Sequence, residues 1–152
     1  MGYRSDGPRP GAGTGGGGTA SQRPPVRYFH EGRLREELVD KEAEEEAMRL
    51  ANVKPTPVRA YFFEVISLRR RVEQEIGEQS GAVAEAIFLK HRPQLKMLRA
   101  KVHYAKARGT ITEDMKDFIE KHVQAVNSFN DFMAFCTHFE AVVAFHRGLS
   151  DK

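Results

Sequence analysis

Between Glu85 and Glu113 the chain contains no Asp or Glu, yet it carries Lys90, Arg92, Lys96, Arg99, Lys101, Lys106 and Arg108. Clustered cations of this kind suit a polyanion, because Lys and Arg neutralise phosphates without reading bases. The flanking charge has the opposite sign. Residues 28–50 hold four basic and eight acidic side chains, residues 51–110 twelve and five, and residues 111–152 four and seven. A reversal from −4 to +7 to −3 along one chain points to a polyanion-facing surface with acidic surfaces elsewhere. The simpler reading of a charge run is a solvated helix face. Contact with an acidic protein surface is the alternative use of the same stripe.

Other chemistry finds little support. No HExxH motif occurs, and His138 and His146 are eight residues apart, too far to share a helical turn as metal ligands. Scattered histidines in a helical chain are expected on the surface or satisfied in the core. A helical nuclease would pair an Arg with a His five to seven positions later in one helix. The single such pair, Arg23 and His30, lies in a Pro-containing stretch that cannot be helical. Gly15–Gly18 lack the Lys-Ser/Thr of a phosphate-binding loop. The lone Cys136 excludes an intramolecular disulfide framework or a multi-cysteine zinc site, and falls at core spacing with Phe132 and Phe139. Neither catalytic residues, nor a metal site, nor a cofactor are therefore expected. Glu44–Glu46 read as a solvated acidic run. Glu140 stands within the apolar final helix, so we expect it to be partnered by a cation or by backbone N–H groups, with a solvent-facing position as the alternative.

The elements that position these residues are helical throughout. At 152 residues, with 40% hydrophobic and 30% charged side chains, the chain is of one-domain size. Residues 1–27 contain eight of the thirteen Gly, four of the seven Pro, four Arg and one Asp, a composition that predicts a disordered basic tail. Residues 28–152 are expected to form an all-α domain, a compact bundle of about five helices. No apolar run is long enough to span a bilayer, and the Gly-rich start lacks the apolar centre of a signal peptide, so a soluble cytoplasmic protein is expected.

A helix is predicted over 33–51, broken by Lys54-Pro55-Thr56-Pro57. Thr56 would cap the next, with Pro57 at its first position, and Val58, Tyr61, Phe62, Val65, Leu68 and Val72 as its buried stripe up to Gly77. Gly81 opens a third stretch that Pro93 kinks or restarts. From Gln94 to Arg108 an apolar seam of Leu95, Leu98, Val102 and Ala105 has cations on both sides. Lys96, Arg99, His103 and Lys106 form one flank; Met97, Lys101, Tyr104 and Arg108 form the other. Gly109 suits the stop. Thr112 caps a fourth helix that buries Met115, Phe118, Ile119, Val123 and Val126. Ser128 and Asp131 resemble a capping box for the last helix, Phe129 to about Arg147, whose apolar circumference suits a central position or a further interface.

Three segments in order carry a resemblance: TPVRAYFFEV at 56–65, LKMLRAKVHYAKAR at 95–108 and FNDFMAFCTHFEAVVAFHR at 129–147. Together they resemble the small subunit of the type III-A CRISPR effector, the Csm complex, over residues 35–148. Phe145 stands where that pattern has Tyr, and residues 1–27 have no counterpart. The resemblance implies a non-catalytic helical subunit that stacks in several copies and holds target RNA against the guide RNA, with other Csm subunits as partners and no membrane. It places Arg59, Lys101 and Arg108 at RNA-facing positions. Lys96, Arg99 and Lys106 join them on charge pattern alone. Arg70 joins from the run Arg69-Arg70-Arg71, of which at most two can share a face. Recognition of this kind would be sequence-independent, through the phosphate backbone.

Overall fold

The computed structural model describes residues 25–150. The tail expected over 1–27 therefore lies mostly outside the described residues, as do Arg23 and Gly15–Gly18. Five α-helices follow one another: α1 Lys41–Arg49, α2 Pro55–Ile76, α3 Ala82–Ala107, α4 Glu113–Ala125 and α5 Phe129–Ser150. This is the helical bundle that the periodicity predicts. α5 is central, packing on α1, α2 and α3, while α3 is sandwiched between α2 and α4.

Helix α5 fills the core with Phe132, Phe135, Cys136, Phe139 and Val142, all fully buried. Phe139 meets Phe118 of α4 edge-on at 5.1 Å between ring centroids and Phe62 of α2 at 5.4 Å. Phe132 stacks on Phe88 of α3 at 5.3 Å. Rings at these separations gain quadrupolar attraction in addition to their buried area. Burial pushes the Cys136 thiol up to about 12, so it behaves as a packed apolar group rather than a nucleophile.

The N-terminal part departs from expectation. In place of a helix from residue 33, two short strands, β1 Phe29–His30 and β2 Arg33–Leu34, pair antiparallel, and a 3₁₀ turn at Glu36–Val39 leads into α1. The reason is the Glu31-Gly32 turn, where both residues have positive φ, 51° and 78°. That is the requirement of a tight primed hairpin turn, usually supplied by Asn-Gly or Asp-Gly.

Helix α2 also starts two residues early. Lys54 holds the cap position without a side-chain bond, and Pro55 occupies the first helical position expected of Pro57. Helix α3 runs unbroken through Pro93. Pro93 and Leu89, whose carbonyl loses its helical donor, both lie on the exposed side, where water can replace the bond. Helix α5 continues through Gly148 to Ser150.

The predicted cap at Thr56 does not form, but those at Thr112 and Ser128 do. Thr112 Oγ1 accepts from Met115 N at 3.2 Å, and Ser128 Oγ accepts from Asp131 N at 3.0 Å. The return arm of the second box is displaced by one residue: Asp131 Oδ2 accepts from Asn127 N at 3.1 Å. Glu85 adds a further acceptor for α5, taking Phe129 N at 3.0 Å.

Glu140 does not have the buried partner expected of it. It is exposed and forms no hydrogen bond or ion pair among the described residues, on the strip of α5 that also exposes Ala144 and Arg147. Among the described residues the buried carboxylate is Glu46 of α1, 6% exposed, which accepts from Arg49 Nη1 at 2.7 Å and from Lys121 of α4.

Three histidines fasten the N-terminal segment to α4 and α5. His122 Nδ1 is 2.7 Å from the Tyr28 hydroxyl. His138 Nδ1 donates to Leu38 O at 2.5 Å. His146 Nε2 donates to Leu50 O and Val53 O at 2.9 and 3.0 Å, stopping the chain after α1. Burial holds His122 well below the ordinary imidazole value and His138 below it.

Candidate nucleic-acid interface

The acid-free stretch lies on α3, and the two cationic flanks of that helix meet different neighbours. Towards α4, Arg99 Nε donates to Glu120 Oε1 at 2.6 Å, and His103 Nε2 lies 3.2 Å from the same oxygen. Lys96 Nζ donates to the carbonyl of Val123 at 3.2 Å, and Lys106 Nζ is 3.9 Å from Glu113. Glu120 is held below the ordinary carboxylate value, chiefly by the Arg99 hydrogen bond. Burial holds the Lys96 ammonium below its ordinary value, helped by Arg92 and Arg99. This flank is thus committed largely to joining α3 to α4.

The other flank faces α2. Lys101 Nζ donates to Glu64 Oε1 at 2.8 Å, with the two side chains 50% and 43% exposed. Lys90 and His91 both bond Glu75, whose carboxyl is held down first by the Lys90 bond and then by that of His91. The two contacts are eleven residues apart on both helices, so α2 and α3 run antiparallel in a straight register. That register places Arg59 level with Lys106, at the same end of the face as Lys101, Tyr104 and Arg108.

On the α2 side of this face three arginines are unengaged, although Lys101 is paired with Glu64. Arg59 and Arg70 are exposed and form no hydrogen bond or ion pair among the described residues, and the same holds for Arg71. Arg59, Phe63 and Arg70 follow one another along the outer side of α2 at helical spacing. Arg69 instead turns to Glu73, 3.1 Å away. At the end of α3, Arg108 Nη1 donates to the Tyr104 hydroxyl at 2.9 Å and its guanidinium lies 5.6 Å from that ring's centroid. These contacts orient the cation without neutralising it.

Between the two helices runs a groove of about 470 Å³, with Leu68 and Leu98 in its floor, Phe63 and Met97 on its walls, and Arg71 and Lys101 at its edges. Phe63, Met97 and Tyr104 are 58%, 56% and 63% exposed, unusual for side chains of their size. Cations alternating with exposed rings on rigid helices form a surface suited to single-stranded nucleic acid.

The chain matches the Csm2 Type III-A family over residues 33–152. It belongs to the Csm2 type III-A family. The family comprises structural subunits of the type III-A CRISPR complex, typically non-catalytic, which associate with the other Csm subunits. The match takes in all five helices and the whole α2–α3 face. No curated protein and no solved structure matches the chain. No helix among the described residues is long and apolar enough to cross a membrane, and none of their His, Cys, Asp and Glu side chains form a group of three or more able to hold a metal.

The seven cations named from sequence therefore separate into two sets. Arg59, Arg70, Lys101 and Arg108 share the α2–α3 face of this Csm2-family chain, whereas Lys96, Arg99 and Lys106 turn to α4. Phe63 is not among the residues named from sequence, and of the run Arg69-Arg70-Arg71 the groove takes Arg71 rather than the Arg70 chosen there. A signal was present: Phe63 falls four residues after Arg59 and outside the buried stripe of α2.

Proposed function

We propose that this Csm2-family subunit cradles RNA in the type III-A complex, stacking in several copies and holding target RNA paired with guide RNA through sequence-independent backbone contacts. The observation that carries this reading is the α2–α3 face, where four arginines and Lys101 stand exposed on two rigid helices beside exposed aromatic rings. Arg59, Arg70, Lys101 and Arg108 make the main phosphate contacts. Lys96 and Arg99, held by acceptors on α4, and Lys106, 3.9 Å from Glu113, add positive potential at the edge. In the assembled complex several stacked copies multiply a modest single-copy affinity. The working compartment is the cytoplasm, where such an effector meets transcripts.

The test is a titration of the protein with single-stranded RNA of two unrelated sequences across a range of salt. Both sequences should bind equally. Lys101→Ala and Arg108→Ala should each weaken binding and reduce the salt slope by about 0.7. A loss confined to one sequence refutes backbone recognition. Absence of binding at low salt, together with weakened assembly of both variants into the Csm complex, assigns the stripe to an acidic protein surface instead.

A further inference from the structure

The groove between α2 and α3 has more than charge to offer. Its walls are Phe63 and Met97, both more than half exposed, and its floor is apolar. Exposed Phe and Met facing each other across one groove, rather than scattered singly, form a site awaiting an apolar face. At about 470 Å³ the space lies in the range of small-ligand sites and is open along one side. Its polar groups are few and placed around the rim: Ser67 and Gln94 carry neutral donors and acceptors, while Arg71 and Lys101 supply positive charge. A flat ring with polar edges and a phosphate attached to it fits that distribution. A wholly apolar helix from a protein partner would leave the rim cations without partners.

We propose that this groove takes up one unpaired nucleobase of the bound RNA, with Phe63 stacking on its face, Met97 closing the opposite side, and Arg71 and Lys101 holding the adjoining phosphates. The proposal rests on the RNA-cradling reading and deepens it, since a base can enter only where the strand is unpaired or a nucleotide is turned out of the duplex. Stacking of this kind tolerates any base, because every base has a π face, so it is compatible with sequence-independent binding. Glu64 occupies the same rim, and its bond to Lys101 must give way as the phosphate arrives. That exchange costs little, because the pair is half exposed.

The sequence supplies a direct probe. The chain has no tryptophan, so Phe63→Trp introduces a single indole at the groove wall. Phe63 is mostly outside the core, and the larger ring has open space to occupy. We expect the indole fluorescence of the full-length variant to be quenched by oligouridylate and by oligoadenylate. Quenching should be weak with a fully paired RNA duplex and absent with an abasic ribose-phosphate strand of equal length. In parallel anisotropy titrations, Phe63→Ala and Met97→Ala should bind the single strands less tightly, Phe63→Ala by about fivefold or more, and neither should differ from the parent on the abasic strand. Saturating RNA binding with unchanged fluorescence, or equal quenching by the abasic strand, overturns the proposal and leaves the backbone-cradling reading intact. Failure of the unaltered protein to bind any RNA removes that reading and this one together. Unchanged RNA affinity in Phe63→Ala combined with failure to enter the Csm complex makes the groove a protein interface and also overturns the proposal.

Discussion

The ion pair between Glu64 and Lys101 offers the sharpest test of how the face works. In the free protein Lys101 Nζ is 2.8 Å from Glu64 Oε1. In the bound state we expect that ammonium to turn to a phosphate and leave the carboxylate behind. Glu64→Gln removes the competitor and keeps the side-chain volume. The pair is 50% and 43% exposed, so its strength lies in the range of surface pairs, about 0.2–1 kcal/mol. Freed for RNA, that energy corresponds to about 1.4- to 5-fold tighter binding. Removing a negative charge beside the phosphates adds to it in the same direction. The gain should shrink as salt rises towards the range where the Debye length approaches the contact distance. Fluorescence anisotropy with a labelled oligouridylate at several salt concentrations reads all of this. In the Lys101→Ala background the part of the Glu64→Gln gain that comes from freeing Lys101 should vanish, leaving only the smaller effect of the removed charge. Equal or weaker binding by Glu64→Gln at low salt, with Lys101→Ala clearly weakened, would refute the exchange of Lys101 from carboxylate to phosphate.

Two further predictions concern the fold that holds the face. His146 is buried and its Nε2 serves two carbonyls after α1, so His146→Ala takes the side-chain donor from Val53 O and leaves Leu50 O with Val53 N alone, beside a new cavity. We expect a loss of about 2–4 kcal/mol in urea denaturation, a large part of which His146→Gln recovers if its amide reaches either carbonyl. The second concerns acid. His122 and His138 are held below the ordinary imidazole value of 6.5, so below that pH the unfolded chain takes up protons that the folded chain refuses. Stability is then fully present above pH 6.5 and falls as the pH drops, by up to about 1.4 kcal/mol per pH unit for each histidine. Glu75, Glu113 and Glu120, held below 4.5, add their loss only at lower pH. Denaturation midpoints measured down to pH 4.5 should therefore decline, and less steeply in His122→Gln; a flat profile would contradict the burial of these rings as neutral groups.

Much of the scaffold was legible because helical periodicity is local. The stripe from Leu95 through Leu98 and Val102 to Ala105 is a pattern within one segment, and the bundle needs only to cover it. The caps at Thr112 and Ser128 are equally local, since donor and acceptor lie three residues apart. Where local signals compete, tertiary context decides between them. Glu31-Gly32 lacks the Asn or Asp that advertises a primed turn, and the helix-forming residues that follow concealed a hairpin. Lys54-Pro55-Thr56-Pro57 offers two consistent helix starts, and the chain uses the earlier Pro. Glu140 looked costly to bury, but a helix packed by α1 on one side and α2 on another still keeps one strip for solvent.

The candidate face was legible as an excess of cations and not as a site. Composition alone shows that residues 51–110 are basic and that no acid interrupts 86–112, because charge is a property of residue type. Which cations remain available is a property of neighbours distant in sequence. Glu120 lies 21 residues from Arg99, and Glu64 lies 37 from Lys101. Only the antiparallel packing of α2 and α4 against α3 decides that one flank pairs with α4, while on the other Lys101 and Lys90 pair with α2 and Arg108 keeps its charge beside Tyr104. The sequence by itself determined the helices, the family pattern and the sign of the charge. The tertiary structure decided which of those charges face solvent, since desolvation and pairing depend on distances that no local pattern records.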